Sequence, residues 1–408
     1  MRRIVPENQL RLPAGTRLLH VGPHKTGTTA LQGALRYARG AMAEHGVVYP
    51  GTRRQHWEEA LALTGRHGLR GDPPPAIHLW DRLVEQVAAT EDEARVIVSS
   101  EFFGEADLDT ARKIVSDLGG ARVHVLVTLR PLTKIIPSAW QQYVRNGLTT
   151  AYDEWLDGML RKPPYNRPTP SFWRRHHHDV LVARWASVVG PRNVTVLVLD
   201  ESDRSMLTHK VEEMVGLPRD LLQPEPGRTN RSLTLGEIEL VRHVNIEFKR
   251  RGWSDQLYRI FVRTGMTQQL SETRQPAAGE AQITTPTWAL VRAAEIGALA
   301  AQEISALGVR VLGDISVLGS MPDVTPDEEA ARPALAETNV PVSVATEAVI
   351  GTIAANASSR ENPPGPVSGI PARELAGVLA RRALRRATAL PGVRQLRDVS
   401  RPDKAADS

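Results

Sequence analysis

The chain has 408 residues, 41% of them hydrophobic, and a formal net charge of +5; this exceeds one typical domain and provides apolar content for a sizeable core. With no Cys it has no disulfide scaffold, thiol nucleophile or Cys-based zinc site, and cytoplasmic residence is the simplest fit. The start "MRRIVPENQLRL" has no apolar h-region and no 18 apolar residues run together, so a soluble protein without a Sec-type signal is expected; residues 371–408 hold nine Arg/Lys against four Asp/Glu, which leaves the rest near neutral and argues against a nucleic-acid partner.

In chain order, "RLLHVG" (17–22), "GVVYP" (46–50), "RVIVSS" (95–100), "RVHVLVTLR" (122–130) and "NVTVLVLD" (193–200) read as strands. Helical patterns lie between them, at about 28–45, 54–65, 76–89, 108–118, 132–146, 176–189 and 203–216. Val/Leu-rich strands alternating with helices predict an α/β fold with a mostly parallel central sheet covered on both faces, and ligands bind at the carboxyl ends of such strands. After about residue 225 two long helical patterns close the core, and "VRVLGDISVLG" ends it at 319. The expected organisation is an α/β domain over 1–319, a flexible linker over 320–370 and a basic amphipathic helix with its tail over 371–408. Segment 147–175, rich in Pro and aromatics, interrupts the α/β pattern and suits an acceptor-binding insertion, its Trp155, Tyr165, Phe172 and Trp173 either stacking on a substrate or packing the insertion.

The first strand runs into "GPHKTGTTALQ", and a strand, loop and helix in this order aim free backbone N–H groups and the positive helix end at one point, which suits an oxyanion. The order is not that of a Walker A loop, G-x-x-x-x-G-K-[ST], because Lys25 precedes Gly27. Nor does the strand ending at Arg130 supply an acid for Mg²⁺. The cradle therefore looks suited to a phosphate that needs no metal.

This loop resembles the 5′-phosphosulfate-binding loop of sulfotransferases that use 3′-phosphoadenosine 5′-phosphosulfate (PAPS), especially bacterial ones. "VLVTLRPLTKIIPSAWQQYVRNG" is similar to that family's 3′-phosphate-binding segment, in which an Arg at a strand end is followed eight residues later by a Ser, here Arg130 and Ser138. The resemblance spans roughly residues 17–250. It implies a P-loop-like sulfotransferase fold, with PAPS held by His24, Lys25, Thr26, Gly27, Thr28, Thr29, Arg130 and Ser138. A late polar loop, "GRTNRSLTLGE", resembles the family's nucleotide-covering loop and adds Arg228, Asn230, Arg231 and Ser232, although Asn230 or Ser232 equally suits a helix cap.

Sulfuryl transfer passes through a loose in-line transition state by analogy with phosphoryl transfer, so charge builds on the departing phosphate, where Lys25 and the loop N–H groups are placed. A hydroxyl acceptor also needs a base. Glu101, at a strand's carboxyl end, and His56, soon after the second strand, compete for that role. His24 is expected to shape the loop. "RRHHH" (174–178) invites a metal reading, but adjacent His point to different helix faces and no carboxylate or Cys spacing supports it, so no metal is expected. The expected acceptor is a hydroxyl or amine of a carbohydrate, lipid or small molecule, and 371–390 suits a peripheral membrane or an acidic partner as well as a solvated tail. Two other readings stay open: a Mg²⁺-dependent P-loop kinase or NTPase with a degenerate Walker loop, and a non-catalytic nucleotide-binding scaffold acting through the basic tail.

Overall fold

The computed structural model describes residues 10–68, 74–226, 231–322 and 340–361. Six strands, β1 (Arg17–His20), β2 (Val47–Val48), β3 (Arg95–Ser99), β4 (Val123–Leu129), β5 (Val194–Val198) and β6 (Arg310–Leu312), form one sheet in the order β2-β3-β1-β4-β5-β6. Every pairing is parallel, with Leu18 opposite both Ile97 and His124. The α/β reading with a parallel sheet therefore stands.

Alternation along each strand feeds two cores. Leu19, Val21, Val96, Val98, Val125 and Val127 point to one face, and Leu18, Ile97, Leu126 and Leu197 to the other. A one-residue slip would exchange these sets, so burial on both faces pins the register. The first face is covered by α4 (His78–Ala88), α5 (Leu108–Asp117), α9 (His178–Val189) and the helix Thr287–Ala306. Against the second pack α1 (Thr28–Tyr37), α2 (Arg39–Glu44) and α10 (Met206–Val215). The remaining helix of the first half, α3 (Trp57–Thr64), follows β2.

A third apolar cluster is built mainly from helices. It joins α6 (Leu132–Arg145), α7 (Tyr152–Leu160), α8 (Ser171–His176), α11 (Leu235–Arg251) and the stretch Tyr258–Thr273. Trp155 and Phe172 are fully buried in it, and Trp173 donates its indole N–H to the Met159 carbonyl at 3.1 Å. Of the five aromatics in 147–175, Tyr152, Trp155, Tyr165, Phe172 and Trp173, only Tyr165 is exposed. Packing thus accounts for most of that aromatic content.

Within the stretch expected to be a linker, the described residues 340–361 differ from expectation. A helix covers Val342–Glu361, and Val344 and Ala348 are buried in the helical cluster. Two apolar residues at i, i+4 make a docking edge even where Ala- and Ser-rich composition shows no long period. The chain divides into two compact units, Met1–Ala355 and Asn356–Ser408, and the basic segment 371–408 lies outside the described residues. No helix among the described residues is long and apolar enough to cross a membrane.

The site is set by topology. The chain places β3 on one side of β1 and β4 on the other, so a crevice opens at the carboxyl end of β1, where strand order reverses.

Candidate functional site

The loop between β1 and α1 fills that crevice. Gly22 starts it because no side chain fits there: a Cβ would stand 2.1 Å from the Thr128 hydroxyl. Lys25 and Gly27 both take left-handed backbone conformations, φ 71° and 77°, which turns successive N–H groups to one side. Among the described residues, no protein acceptor receives the backbone N–H of any residue from Lys25 to Thr29, and α1 has neither a side-chain cap nor an acid in its first turn. Five consecutive free donors at a helix N-terminus form an anion cradle.

The loop is held from beneath by buried polar groups. The Thr26 hydroxyl donates to the Pro23 carbonyl at 2.7 Å and meets the Thr128 hydroxyl at 2.8 Å, so only its backbone is left for a ligand. His20 bridges Thr128 Oγ1 (3.3 Å) and Ser99 Oγ (2.8 Å), and burial lowers its pKa to about 4. Gln32 of α1 then donates to Ser99 Oγ and to Glu101 Oε2, at 3.2 and 3.1 Å. One chain of hydrogen bonds therefore connects the cradle to the Glu101 carboxylate. Thr28 is buried beside it, whereas Thr29 is exposed and its carbonyl accepts from Arg54.

Lys25 is the most telling side chain. Its ammonium donates to Gln142 Oε1 of α6 at 3.3 Å, and among the described residues no carboxylate lies within ion-pair distance of it. Burial, with Arg145 and Arg130 adding repulsion against the opposing pull of Glu101, lowers its pKa to about 8. Arg145 is likewise held down by burial and pairs with no carboxylate among the described residues. Desolvated cations beside free N–H donors are costly unless an anion joins them.

Glu101 opens the short turn Glu101–Glu105 after β3, where Ser100 caps the turn. Its side chain is 12% exposed and lies 4.0 Å from His24 Nδ1. His24 Nε2 lies 3.8 Å from Glu105, which is 3% exposed and paired with Arg175 (2.7 Å) and Arg66. Against the cost of burial, His24, Arg175 and Arg66 hold the Glu105 carboxyl at about 2.

His56 stands apart from this cluster. Its Nε2 meets the Pro50 carbonyl at 3.1 Å, its Nδ1 accepts from the Ser99 N–H at 3.2 Å, and burial lowers its pKa to about 4. Both ring nitrogens are committed to backbone, so the geometry leaves His56 no nitrogen for an acceptor proton. The spacing after the second strand brought it to attention; its role here is to tie the Pro50 loop to the end of β3.

Arg130 directly follows β4, but its guanidinium is occupied. Nε lies 2.7 Å from Glu201 Oε1, and Nη2 binds the same oxygen. A cavity of about 1020 Å³ opens beside this pair at the ends of β5 and β6, lined by Pro131, Lys134, Leu199, Glu201 and Met206 among others, rather than over Lys25. Ser138 follows Pro137 inside α6 and gives its hydroxyl to the Ile135 carbonyl at 2.9 Å. Arg231 is bound to Glu237 and to the carbonyls of Ser232, Leu270 and Arg274, which commits it to holding the start of α11. Ser232 is exposed, and Arg228 and Asn230 lie outside the described residues. His176 ends α8 and His178 begins α9, with ring centroids 6.4 Å apart, and no group of three metal-ligating side chains gathers among the described residues.

Lys25, His24 and Glu101 are thus brought together with the cradle, and Arg130 lies close enough to Lys25 to repel it. Glu105, Arg175, Gln32, Gln142 and Arg145 were not singled out from the sequence. Gln32, Gln142 and Arg145 lie within the two quoted motifs, but only their distant partners make them, like Glu105 and Arg175, part of the site.

Comparison with known protein families and with curated proteins finds no match. Among solved structures, the chain is similar to a sulfotransferase from Alicyclobacillus acidocaldarius, at 18% identity and a TM-score of 0.37, over 60% of this chain and 98% of that one.

Proposed function

We propose that the protein is a sulfotransferase that moves a sulfuryl group from PAPS to a hydroxyl or amine. The observation that carries this reading is the half-buried, desolvated Lys25 ammonium, with no carboxylate in ion-pair reach among the described residues, on a loop whose five N–H groups have no acceptor among them. Such a loop stabilises charge that appears on a departing phosphate oxygen. The loop and strand motifs that resemble PAPS-binding segments add the nucleotide. Glu101, oriented by Gln32 and partly open to the crevice, takes the acceptor proton as its oxygen bonds to sulfur and the sulfur–oxygen bond to the phosphate breaks. Arg130 holds the 3′-phosphate once Glu201 gives way, and Ser138 helps if its hydroxyl leaves Ile135.

The decisive experiment is a calorimetric titration with adenosine 3′,5′-bisphosphate in the presence of EDTA, set against ATP with Mg²⁺. Metal-independent binding of the bisphosphate with weaker ATP binding is expected. Preference for ATP·Mg²⁺ would replace this reading by a kinase or NTPase. Comparing metabolites with and without the active enzyme, in search of an added sulfate mass, then identifies the acceptor.

A further inference from the structure

His24 sits between two carboxylates. Its Nδ1 is 4.0 Å from Glu101 and its Nε2 is 3.8 Å from Glu105, while its ring meets Phe102 edge-on at 5.0 Å. Nε2 is shielded from solvent and has no hydrogen-bond partner among the described residues. An unpartnered imidazole nitrogen beside a buried carboxylate gains by closing a gap of under an ångström, and catalytic hydrogen bonds commonly tighten only when substrate binds. Arg66 and Arg175 keep Glu105 in place for that contact.

We propose that Glu105, His24 and Glu101 form a proton relay, in which Glu105 is a positioning residue that fixes the proton of His24 on Nε2 and leaves Nδ1 to receive the proton that Glu101 takes from the acceptor. The balance is simple. The acceptor's O–H proton passes to the Glu101 carboxylate and from there to His24 Nδ1, while the electron pair of that O–H forms the new bond to sulfur. The resulting imidazolium lies between the Glu105 carboxylate and the regenerated Glu101 carboxylate, an arrangement that favours the charged ring. Glu101 is then returned to its basic form without waiting for solvent. The charged and titratable groups facing His24 are Glu101 and Glu105 from the turn after β3, Arg175 and His176 from α8, and Lys25 on its own loop. Burial and Arg175 keep His24 neutral before turnover, and the two carboxylates oppose them. The relay rests on the sulfotransferase reading for its acceptor, but its geometry does not.

Selective ¹⁵N-histidine labelling tests it without any substrate. In the wild-type protein at neutral pH, long-range ¹H–¹⁵N spectra should show His24, assigned by its loss in His24→Asn, as the Nε2–H tautomer. In Glu105→Gln, which keeps shape and removes charge, that tautomer should lose its dominance and the His24 titration should move to lower pH. Under PAPS turnover, Glu105→Gln should lower kcat on the order of tenfold or more with KM for the donor unchanged. An Nδ1–H tautomer in the wild type overturns the relay even if Glu105→Gln fails to fold, as does a His24 signal indifferent to Glu105→Gln. Failure of adenosine 3′,5′-bisphosphate to bind the wild type would instead overturn the sulfotransferase reading, so the two outcomes are read separately.

Discussion

The guanidinium of Arg130 and the carboxylate of Glu201 form an ion pair between the end of β4 and the segment after β5, with Nε 2.7 Å from Oε1. A strand-end Arg would be an expensive charge without a partner, and Glu201 supplies one from the segment after β5. The partner is replaceable. Side-chain exposures of 30% and 46% put the pair among those worth about 0–1 kcal/mol. A phosphate dianion offers the same fork more charge and more acceptor oxygens. Glu201 thus stands where an arriving phosphate would compete with it.

The first prediction follows from that competition. Glu201→Gln removes the resident anion and should strengthen binding of adenosine 3′,5′-bisphosphate by roughly two- to fivefold. Arg130→Ala should erase the preference for the bisphosphate over AMP, a loss of about one to two decades for a charge-assisted fork. Calorimetry of both nucleotides on both variants is the check. An unchanged bisphosphate-to-AMP ratio in Arg130→Ala would remove Arg130 from the nucleotide site.

Lys25 gives a second prediction with a definite sign in pH. Its pKa in the free protein is about 8, against 10.5 for an ordinary Lys, so the loop loses its cation as pH rises past 8. Anion binding favours the ammonium; bisphosphate affinity should therefore be flat below pH 8 and weaken above it. In Lys25→Met the affinity should be lower and this slope absent. Between about pH 8 and 10.5 the folded protein binds fewer protons at Lys25 than the unfolded chain does, so Lys25 makes stability rise with pH across that window. At pH 7 the desolvated ammonium is a net cost, and Lys25→Met should melt at a higher temperature than the wild type while losing turnover. Thermal melts with and without bisphosphate measure both effects.

The same residue shows what the sequence could and could not carry. The order of strand, Gly-rich loop and helix around "GPHKTGTT" is local, and local order is what periodicity and turn chemistry encode. Five of the six strands fall within stretches whose Val and Leu content marks them for a parallel sheet, because burial on both faces demands apolar residues at nearly every position, whereas the half-buried edge strand β6 lies in "VRVLGDISVLG", which reads only as the end of the core. The surroundings of Lys25 are not local: Gln142 and Arg145 come from α6, more than a hundred residues away, and decide that the ammonium is desolvated and short of negative charge. His56 illustrates the opposite case. Its position after β2 is equally compatible with a base and with a brace, and only the backbone atoms of Pro50 and Ser99 tell them apart. Likewise Val342–Glu361 lacks a durable apolar period, and its docking depends on what Val344 and Ala348 meet elsewhere in the chain.

Acid should unfold the protein through its buried histidines. His20, His56 and His178 are fully enclosed and each has a pKa of about 4, lowered by burial from 6.5. Between those values the unfolded chain binds about one more proton per histidine than the folded one, so stability falls as pH drops from 6.5 toward 4. Denaturant titrations at several pH values should show that slope, and it should become shallower by about one proton in His56→Gln, which is also expected to be less stable at neutral pH. A slope that His56→Gln leaves unchanged would contradict a buried, neutral His56.

The choice of base is the sharpest remaining test, because the two candidates now differ in geometry. Glu101 reaches the crevice, is held by Gln32 at 3.1 Å and keeps 12% of its side chain open, whereas both nitrogens of His56 are spent on backbone. Under PAPS turnover, Glu101→Gln preserves shape and the Gln32 neighbourhood but removes the proton acceptor, and kcat should fall by roughly two to four decades. In the proposed reading Glu101 serves the acceptor and not the nucleotide, so bisphosphate affinity should stay nearly intact. Glu101→Asp keeps the carboxylate but withdraws it by one methylene, and should fall between Gln and wild type. His56→Asn should keep kcat per folded molecule while lowering stability. Stopped assays corrected for the folded fraction separate these effects. Full activity in Glu101→Gln would move the base elsewhere, and collapse of kcat in a well-folded His56→Asn would show that the brace between the Pro50 loop and β3 does more than hold the fold.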